Sequence, residues 1–335
     1  AQWRTDYRYR ATITYQPNDG TTGGAITRTV GHGTDPNLIA TLEYNTFQVS
    51  GWSFGGWNTV ANGTGDLYQP GDKLTLADGD AKELFAQWYK LNDDGSITVP
   101  GNDGNPKTEG DNATAKGNGT TAPERKDDGS IDIPNGGSVT PGNGNTIGLP
   151  DGGTLKPDGT IIIKRPGGGT IIIPGDGGET KVTDPDGDVD PDAVIVTVTY
   201  HENTGAYEEL DVKAVAGDDM TILDNPFAGN GARFLNWEST VAKPGTENKT
   251  YNHREVVPAA GMELFAQWYK QSSGAIELPG KDGVIEAPHD KDNVTVTPGE
   301  GGTLEGPRQP DGSVKVPENG TGTVTRPDPD KPGST

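Results

Sequence analysis

Apolar residues in this chain come in short runs, each closed within a few positions by glycine, proline, asparagine or aspartate. The clearest alternation lies in Glu83-Leu84-Phe85-Ala86-Gln87-Trp88-Tyr89-Lys90. Leu, Ala and Trp fall on one side of an extended backbone there, and Phe, Gln and Tyr on the other. That period of two predicts a strand with one strongly buried face. The same octapeptide returns unchanged as Glu263–Lys270, 180 residues later, so the chain contains an internal repeat. A partial copy, Ala1-Gln2-Trp3, reads as the last strand of a preceding unit. The chain is therefore expected to be a segment of a longer tandem array.

Five segments follow from the pattern. Residues 1–10 are an end strand and a short basic connector. In the first block, 11–90, Ala11–Tyr15 alternates as a strand, Asn18-Asp19-Gly20 signals a turn, and Ala25–Val30 closes a hairpin. Asp35-Pro36 has the form of an N-cap followed by Pro at the first helical position. Leu38, Ile39 and Leu42 come next at helical spacing, which predicts one short helix. Gly51-Trp52-Ser53-Phe54-Gly55-Gly56-Trp57, a turn at 61–65 and Leu74-Thr75-Leu76 lead into the octapeptide. Residues 193–270 repeat this plan: Val194–Tyr200 matches the first strand, and Phe234-Leu235-Asn236-Trp237 matches Phe54–Trp57. Trp57 to Trp88 and Trp237 to Trp268 both span 31 residues, whereas Tyr15 to Trp57 spans 42 and Tyr200 to Trp237 spans 37. The later half of the block keeps its geometry, and loops before the Trp absorb the difference.

The two tails, 91–192 and 271–335, break into rungs such as Asp94-Gly95-Ser96-Ile97-Thr98-Val99-Pro100, Asp128-Gly129-Ser130-Ile131-Asp132-Ile133-Pro134 and Asp311-Gly312-Ser313-Val314-Lys315-Val316-Pro317. Each is an Asp-Gly turn, a few β-branched residues and a Pro stop. β-Branched residues favour extended backbone, and Pro cannot continue a central strand. An extended hydrated linker is one reading. Short strands stacked as a solenoid or a ladder of hairpins is the other, and the Ile161–Ile163 and Ile171–Ile173 runs favour it, because disordered segments are poor in such residues. Residues 101–126 lack the rung pattern and are expected to be the loosest.

Composition narrows the function classes. Of 335 residues only 30% are hydrophobic, with 51 Gly and 26 Pro, so a core forms only where apolar residues cluster. The net charge of −22 argues against nucleic acid or an anionic membrane as partner, since both need a basic face. With no Cys there is no disulfide and no thiolate metal site. No apolar run approaches the roughly 20 residues of a membrane-spanning helix.

The aromatic residues Phe54, Trp57, Phe85 and Trp88, with counterparts Phe234, Trp237, Phe265 and Trp268, suit either a sugar-stacking platform or the core of a small domain. The core is preferred, because a block of about 80 residues without Cys needs such anchors. Trp52 has no counterpart in the second block and is the candidate for an exposed binding contact. Asp184, Asp186, Asp188, Asp190 and Asp192 place carboxylates at alternate positions, where hard cations such as calcium find oxygens; a stiff acidic hinge is the simpler reading, given Pro185 and Pro191. The four His are scattered, no Gly-x-Ser-x-Gly elbow or phosphate-cradling loop occurs, and no catalytic residue or cofactor is expected.

A strand ending in Tyr15, then Phe54-Gly55-Gly56-Trp57-Asn58, Tyr68-x-Pro70-Gly71-Asp72 and the closing Leu84–Trp88 resemble the Listeria–Bacteroides repeat, which includes the internalin B-repeat of bacterial surface proteins. The second block keeps Tyr200, Phe234, Trp237 and Leu264–Trp268 but lacks the Pro-Gly-Asp turn. The resemblance covers the two blocks and not the tails. It implies a small β-grasp-like fold, a few strands around a short helical segment, and no catalytic residues. The whole chain is thus expected to be mainly β: two β-grasp-like domains alternating with Gly/Pro-rich short-strand segments. The matching function is a non-enzymatic, extracellular structural or adhesive protein of a bacterial surface. The alternatives are a filament subunit joining copies end to end through Ala1–Trp3, and a module gripping a glycan or host protein. No Leu-Pro-x-Thr-Gly wall-sorting signal occurs in the sequence.

Overall fold

The computed structural model describes residues 9–21, 23–31, 36–108, 110–142, 144–202, 208–227, 233–239, 249–272 and the short strands at 275–277, 284–286, 313–315 and 323–325. The fold is mainly β, and no helix occurs among the described residues. The end strand expected at Ala1-Gln2-Trp3 lies outside them.

In the first block the strands are β1 (Ala11–Gln16), β2 (Ile26–Val30), β3 (Leu38–Thr41), β4 (Ser53–Asn58), β5 (Leu67–Tyr68), β6 (Lys73–Leu76) and β7 (Ala81–Leu91). The octapeptide is the middle of β7, which runs parallel to β1 and antiparallel to β4. Its alternation is honoured: Leu84 and Ala86 are fully buried and Trp88 nearly so, while Phe85 and Tyr89 are half-buried. Gln87 is buried as well, because its amide donates to the carbonyls of Ala61 and Phe85 at 3.1 and 3.3 Å. Tyr15, Leu42, Trp57 and Leu76 complete the core.

The helix expected after Pro36 is not there. Leu38–Thr41 is strand β3, antiparallel to β6 with Leu38 opposite Leu76 and Ala40 opposite Leu74. Leu38 and Ala40 are buried, and Ile39 and Thr41 are exposed, a period of two rather than 3.6. A segment this short cannot offset the cost of nucleating a helix, whereas β6 offers ready backbone partners and Ile39 and Thr41 favour extended backbone.

The first tail contributes β8 (Ile97–Val99), β9 (Ala113–Lys116), β10 (Glu124–Arg125), β11 (Ile131–Ile133), β12 (Gly137–Thr140), β13 (Ile147–Leu149), β14 (Gly153–Leu155), β15 (Ile161–Lys164), β16 (Thr170–Ile173) and β17 (Lys181–Thr183). The rungs pair as antiparallel hairpins, but they are dealt out to two sheets. β10, β11, β14, β15, β16 and β17 form one sheet in that order, while β7, β8, β9, β12 and β13 follow one another in another. Both sheets feed one core, in which Val99, Ala115, Val139 and Leu149 meet Ile131, Leu155, Ile161 and Ile171. The two isoleucine runs face each other across β15 and β16, with Ile161 opposite Ile173 and Ile163 opposite Ile171. Residues 101–126 are not a loose stretch: Ala113 and Ala115 of β9 are buried in this core. The tail also grips the first block. Arg125 donates to the carbonyl of Gly55 at 2.9 Å and lies over the Tyr89 ring, and Asn18 donates to the carbonyls of Ala61, Ala86 and Gly104. Gly104 is glycine for space: a Cβ there would stand 2.0 Å from the Ala61 carbonyl oxygen.

The turns explain the recurring Asp-Gly-Ser/Thr. In 92–96, 126–130 and 156–160 the glycine N–H closes onto a carbonyl three residues back, and the flanking residues pair across the loop. Gly95, Gly129 and Gly159 have φ of 80°, 86° and 82°, the left-handed conformation of a type I turn with a G1 bulge. The Asp before each accepts from the N–H two residues on, and Asp94 and Asp128 also accept from the Ser96 and Ser130 hydroxyls at 2.6 Å. The serine hydroxyl, helped by the backbone N–H, holds Asp94 below the usual carboxylate range; at Asp128 the Ser130 hydroxyl outweighs the opposing effect of partial burial. Since the folded pKa is depressed, the stabilisation is present above the ordinary carboxylate pKa and lost as pH falls through the folded value. The thermal transition in which the first tail unfolds is thus expected to move to lower temperature between about pH 4 and pH 2, and to move less steeply in a Ser96→Ala/Ser130→Ala variant. Identical pH profiles for the two proteins would show that these turns do not carry the effect.

The remaining strands are β18 (Ile195–His201), β19 (Glu209–Val215), β20 (Asp219–Thr221), β21 (Arg233–Ser239), β22 (Lys249–Tyr251), β23 (Val256–Pro258), β24 (Met262–Ser272), β25 (Ala275–Glu277), β26 (Val284–Glu286), β27 (Ser313–Lys315) and β28 (Thr323–Thr325). The chain divides into two compact units, and the division cuts through the second block. The described residues up to Thr199, with Leu210–Asp224 and Arg254–Gly261, form one; Tyr200–Glu209, Asn225–His253 and the residues from Met262 on form the other. In the first, β20 pairs antiparallel with β23, as β3 does with β6, and Ile147 of β13 pairs parallel with Asp211 of β19. In the second, β21 pairs with β24, β24 with β25, β25 with β28, and β26 with β27.

Candidate functional site

Of the aromatic residues singled out by the repeat, Phe54, Trp57 and Trp88 and their counterparts Phe234, Trp237 and Trp268 form the same inward cluster in both copies, whereas Phe85 and Phe265 are half-buried on the other face of their strands. Trp57 is 1% exposed and Trp237 is fully buried. In the first copy Trp57 lies 4.7 Å from Tyr15, 6.1 Å from Phe47 and 4.9 Å from Phe54, with Phe54 6.0 Å from Trp88. In the second the corresponding distances are 4.7 Å to Tyr200, 6.1 Å to Phe227 and 4.9 Å to Phe234, and 5.9 Å from Phe234 to Trp268. The strand register is shared too: Phe54 opposes Trp88 and Trp57 opposes Ala86, then Phe234 opposes Trp268 and Trp237 opposes Ala266, with the same bulge between. Each closing Trp donates its indole N–H to a backbone carbonyl, Trp88 to Pro17 at 2.9 Å and Trp268 to Glu202 at 2.6 Å. These rings pack tilted or edge to face against one another inside each block and are not a platform for a ligand.

Phe47 and Phe227 were not among the aromatic residues expected in the core. Their signal is Asn-x-Phe ten residues before the Trp, as Asn45-Thr46-Phe47 and Asn225-Pro226-Phe227. Asn45 accepts from the Phe47 N–H at 2.9 Å and donates to its carbonyl at 3.0 Å; Asn225 does the same with Phe227 at 3.1 and 3.2 Å. Both pairs keep the 180-residue offset, so the length difference between the blocks falls between Tyr15 and Asn45. Asn45→Ala and Asn225→Ala are each expected to cost about 1 kcal/mol. Matched losses of amide protection in the two blocks would bear this out, and a loss in one alone would contradict it.

Trp52 is half-buried against the first core. The acidic run is a turn: Asp184 Oδ1 accepts from the N–H groups of Asp186 and Asp188, and Asp190 Oδ1 from that of Asp192, all at 3.0 Å. Among the described residues no three His, Cys, Asp or Glu side chains are grouped to hold a metal ion. His201 stacks on Phe265 at 4.4 Å and sits 3.2 Å from Glu209; His253 lies edge-on to Phe234; His32 and His289 fall outside the described residues.

The polar cleft that does form comes from residues far apart in sequence. It has a volume of about 270 Å³ and lies in the first unit, among the loops beside β11, β13, β20 and β23. Half-buried Pro150 and, beneath it, the fully buried Ile222 are its apolar lining; Asn118, Asn135, Asp151, Thr221, Asp224 and Arg254 are its polar groups. Arg254 grips Asp224 through Nε at 2.9 Å and Nη2 at 2.7 Å, which raises its own pKa further. Its backbone φ of 60° is left-handed, a conformation that costs a non-glycine residue about 1 kcal/mol or more. Thr221 donates its hydroxyl to Asp151 Oδ1 at 2.9 Å. Burial pushes the Asp151 carboxyl above its ordinary range, against that hydrogen bond. The cleft offers donors and acceptors held by the Arg254–Asp224 and Thr221–Asp151 pairs.

No family model matches the chain, and no solved structure matches it. A protein of Evansella cellulosilytica described as "Putative Gly-rich membrane protein" is 32% identical over 89 residues, 26% of this chain and 10% of that protein. The chain thus matches about a tenth of the length of that relative. Among the described residues no helix is long and apolar enough to cross a membrane.

Proposed function

We propose that this chain is a non-enzymatic structural or adhesive segment of an extracellular bacterial surface protein. The observation that carries the reading is the duplicated aromatic core, rebuilt 180 residues later with ring separations equal to within 0.1 Å. In both copies the matched aromatic residues are used for stability, as a repeat that supplies length by duplication requires. Paired hairpins fill the stretch between the blocks, so the segment between the two cores has its own core. The resemblance to the Listeria–Bacteroides repeat points the same way, as does a relative whose printed name is that of a Gly-rich membrane protein. The acidic surface and the absence of Cys suit an exported protein.

Antibodies raised against the purified chain should label intact cells of the source bacterium, and brief external protease should remove the label. Antigen that appears only after lysis would place the protein inside the cell and defeat the proposal.

A further inference from the structure

Most Asp-Gly turns of the first tail follow one rule, and one that departs from it faces the cleft. Asp94, Asp128 and Asp158 are each followed by Gly and then Ser or Thr, and each carboxylate is answered by the residue two positions on. Leu149-Pro150-Asp151-Gly152 makes a turn closed by the Gly152 N–H on the Leu149 carbonyl at 3.0 Å, with Gly152 at φ 74°. The next residue is Gly153, which has no hydroxyl and whose backbone pairs with Ile163 in the sheet. The Asp151 carboxylate therefore turns away from its own loop. Oδ1 accepts from Thr221, and Oδ2 accepts no hydrogen bond among the described residues.

We propose that this cleft binds one pyranose residue of a glycan. Its unused groups alternate in kind. Asp151 Oδ2 is an acceptor, Arg254 Nη1 is a donor left over from the pair with Asp224, and the exposed Asn135 amide supplies one of each. An ammonium ion has only donors and would leave Arg254 unanswered; a phosphate is an anion and would be repelled by the Asp151 carboxylate. Adjacent ring hydroxyls are donors and acceptors together, so they answer all three groups. Half-buried Pro150 provides apolar surface for the C–H face of a ring, backed from beneath by the buried Ile222. At about 270 Å³ the cleft falls just below the roughly 300 Å³ at which drug-sized pockets begin, so it takes one ring and no more. With Asp224 neutralised by Arg254, the remaining charge is that of Asp151, which disfavours acidic sugars. This goes beyond the surface assignment and is tested on the purified chain, so neither result decides the other.

The experiment is saturation-transfer NMR on the full chain with the methyl glycosides of glucose, galactose, mannose and N-acetylglucosamine, and with n-propylamine and inorganic phosphate as controls. At least one glycoside should receive saturation on its ring protons, and the signal should fall at least tenfold in Asp151→Ala. Asn135→Ala, at an exposed position, should weaken it as well without altering the circular dichroism. The proposal is overturned if no glycoside receives saturation, if the signal survives both substitutions, or if only the amine or phosphate binds.

Discussion

Trp57→Ala is expected to destabilise the first block by about 3–5 kcal/mol, the range for truncating a large buried aromatic. Trp57 is 1% exposed, touches Tyr15, Phe47 and Phe54, and donates its indole N–H to the Glu43 carbonyl at 2.9 Å. Truncation would leave a cavity among three rings and an unanswered carbonyl, losses that add. Because the chain has more than one compact unit, a single unfolding midpoint is not the right readout. Native-state hydrogen exchange is, and the amides of 84–88 should lose most of their protection. Trp237→Ala should do the same to 264–268 while leaving 84–88 protected, since the second cluster repeats the first. If Trp57→Ala leaves the exchange of 84–88 unchanged, the ring cluster is not what holds the block together.

The second large effect is expected in the first tail. Leu155 is fully buried at the end of β14, opposite Ile131 on one side and Ile161 on the other. Leu155→Ala should cost about 2–5 kcal/mol, the upper part of that range if the flanking isoleucines cannot close the gap. β11, β14 and β15 share that core with β9 and β13, so the loss of amide protection should reach both sheets. An effect confined to 153–155 would mean that the hairpins are stable one by one and that no common core exists.

The sequence made some of this legible and concealed the rest for physical reasons. The octapeptide was readable because its period of two is carried by large residues, and the turns were readable because only glycine takes their left-handed position. Leu38–Thr41 misled because the apolar residues of a four-residue strand fit a helical spacing equally well; the β6 partner that decides the matter is distant in sequence. β9 was missed because Ala113-Thr114-Ala115-Lys116 looks too small and polar for a core, yet small residues are what the gap between two close sheets accepts. Asn45-x-Phe47 was missed because one shared Phe and a side-chain-capped turn give no periodicity. The cleft was invisible for a different reason. Asn135, Asp151, Asp224 and Arg254 come from separate loops, and nothing local in any of them marks a site.

The central claim is that residues 91–192 are a folded part of the molecule with a core of their own. Hydrogen exchange of the intact chain at neutral pH, resolved by residue, tests it most directly. The amides of Ile161, Ile163, Ile171 and Val182, on strands paired at both edges or packed in the core, should exchange as slowly as those of Leu84 to Trp88. Rapid exchange throughout 150–183, alongside protection of 84–88, would contradict the claim and leave two folded blocks on an unstructured connector.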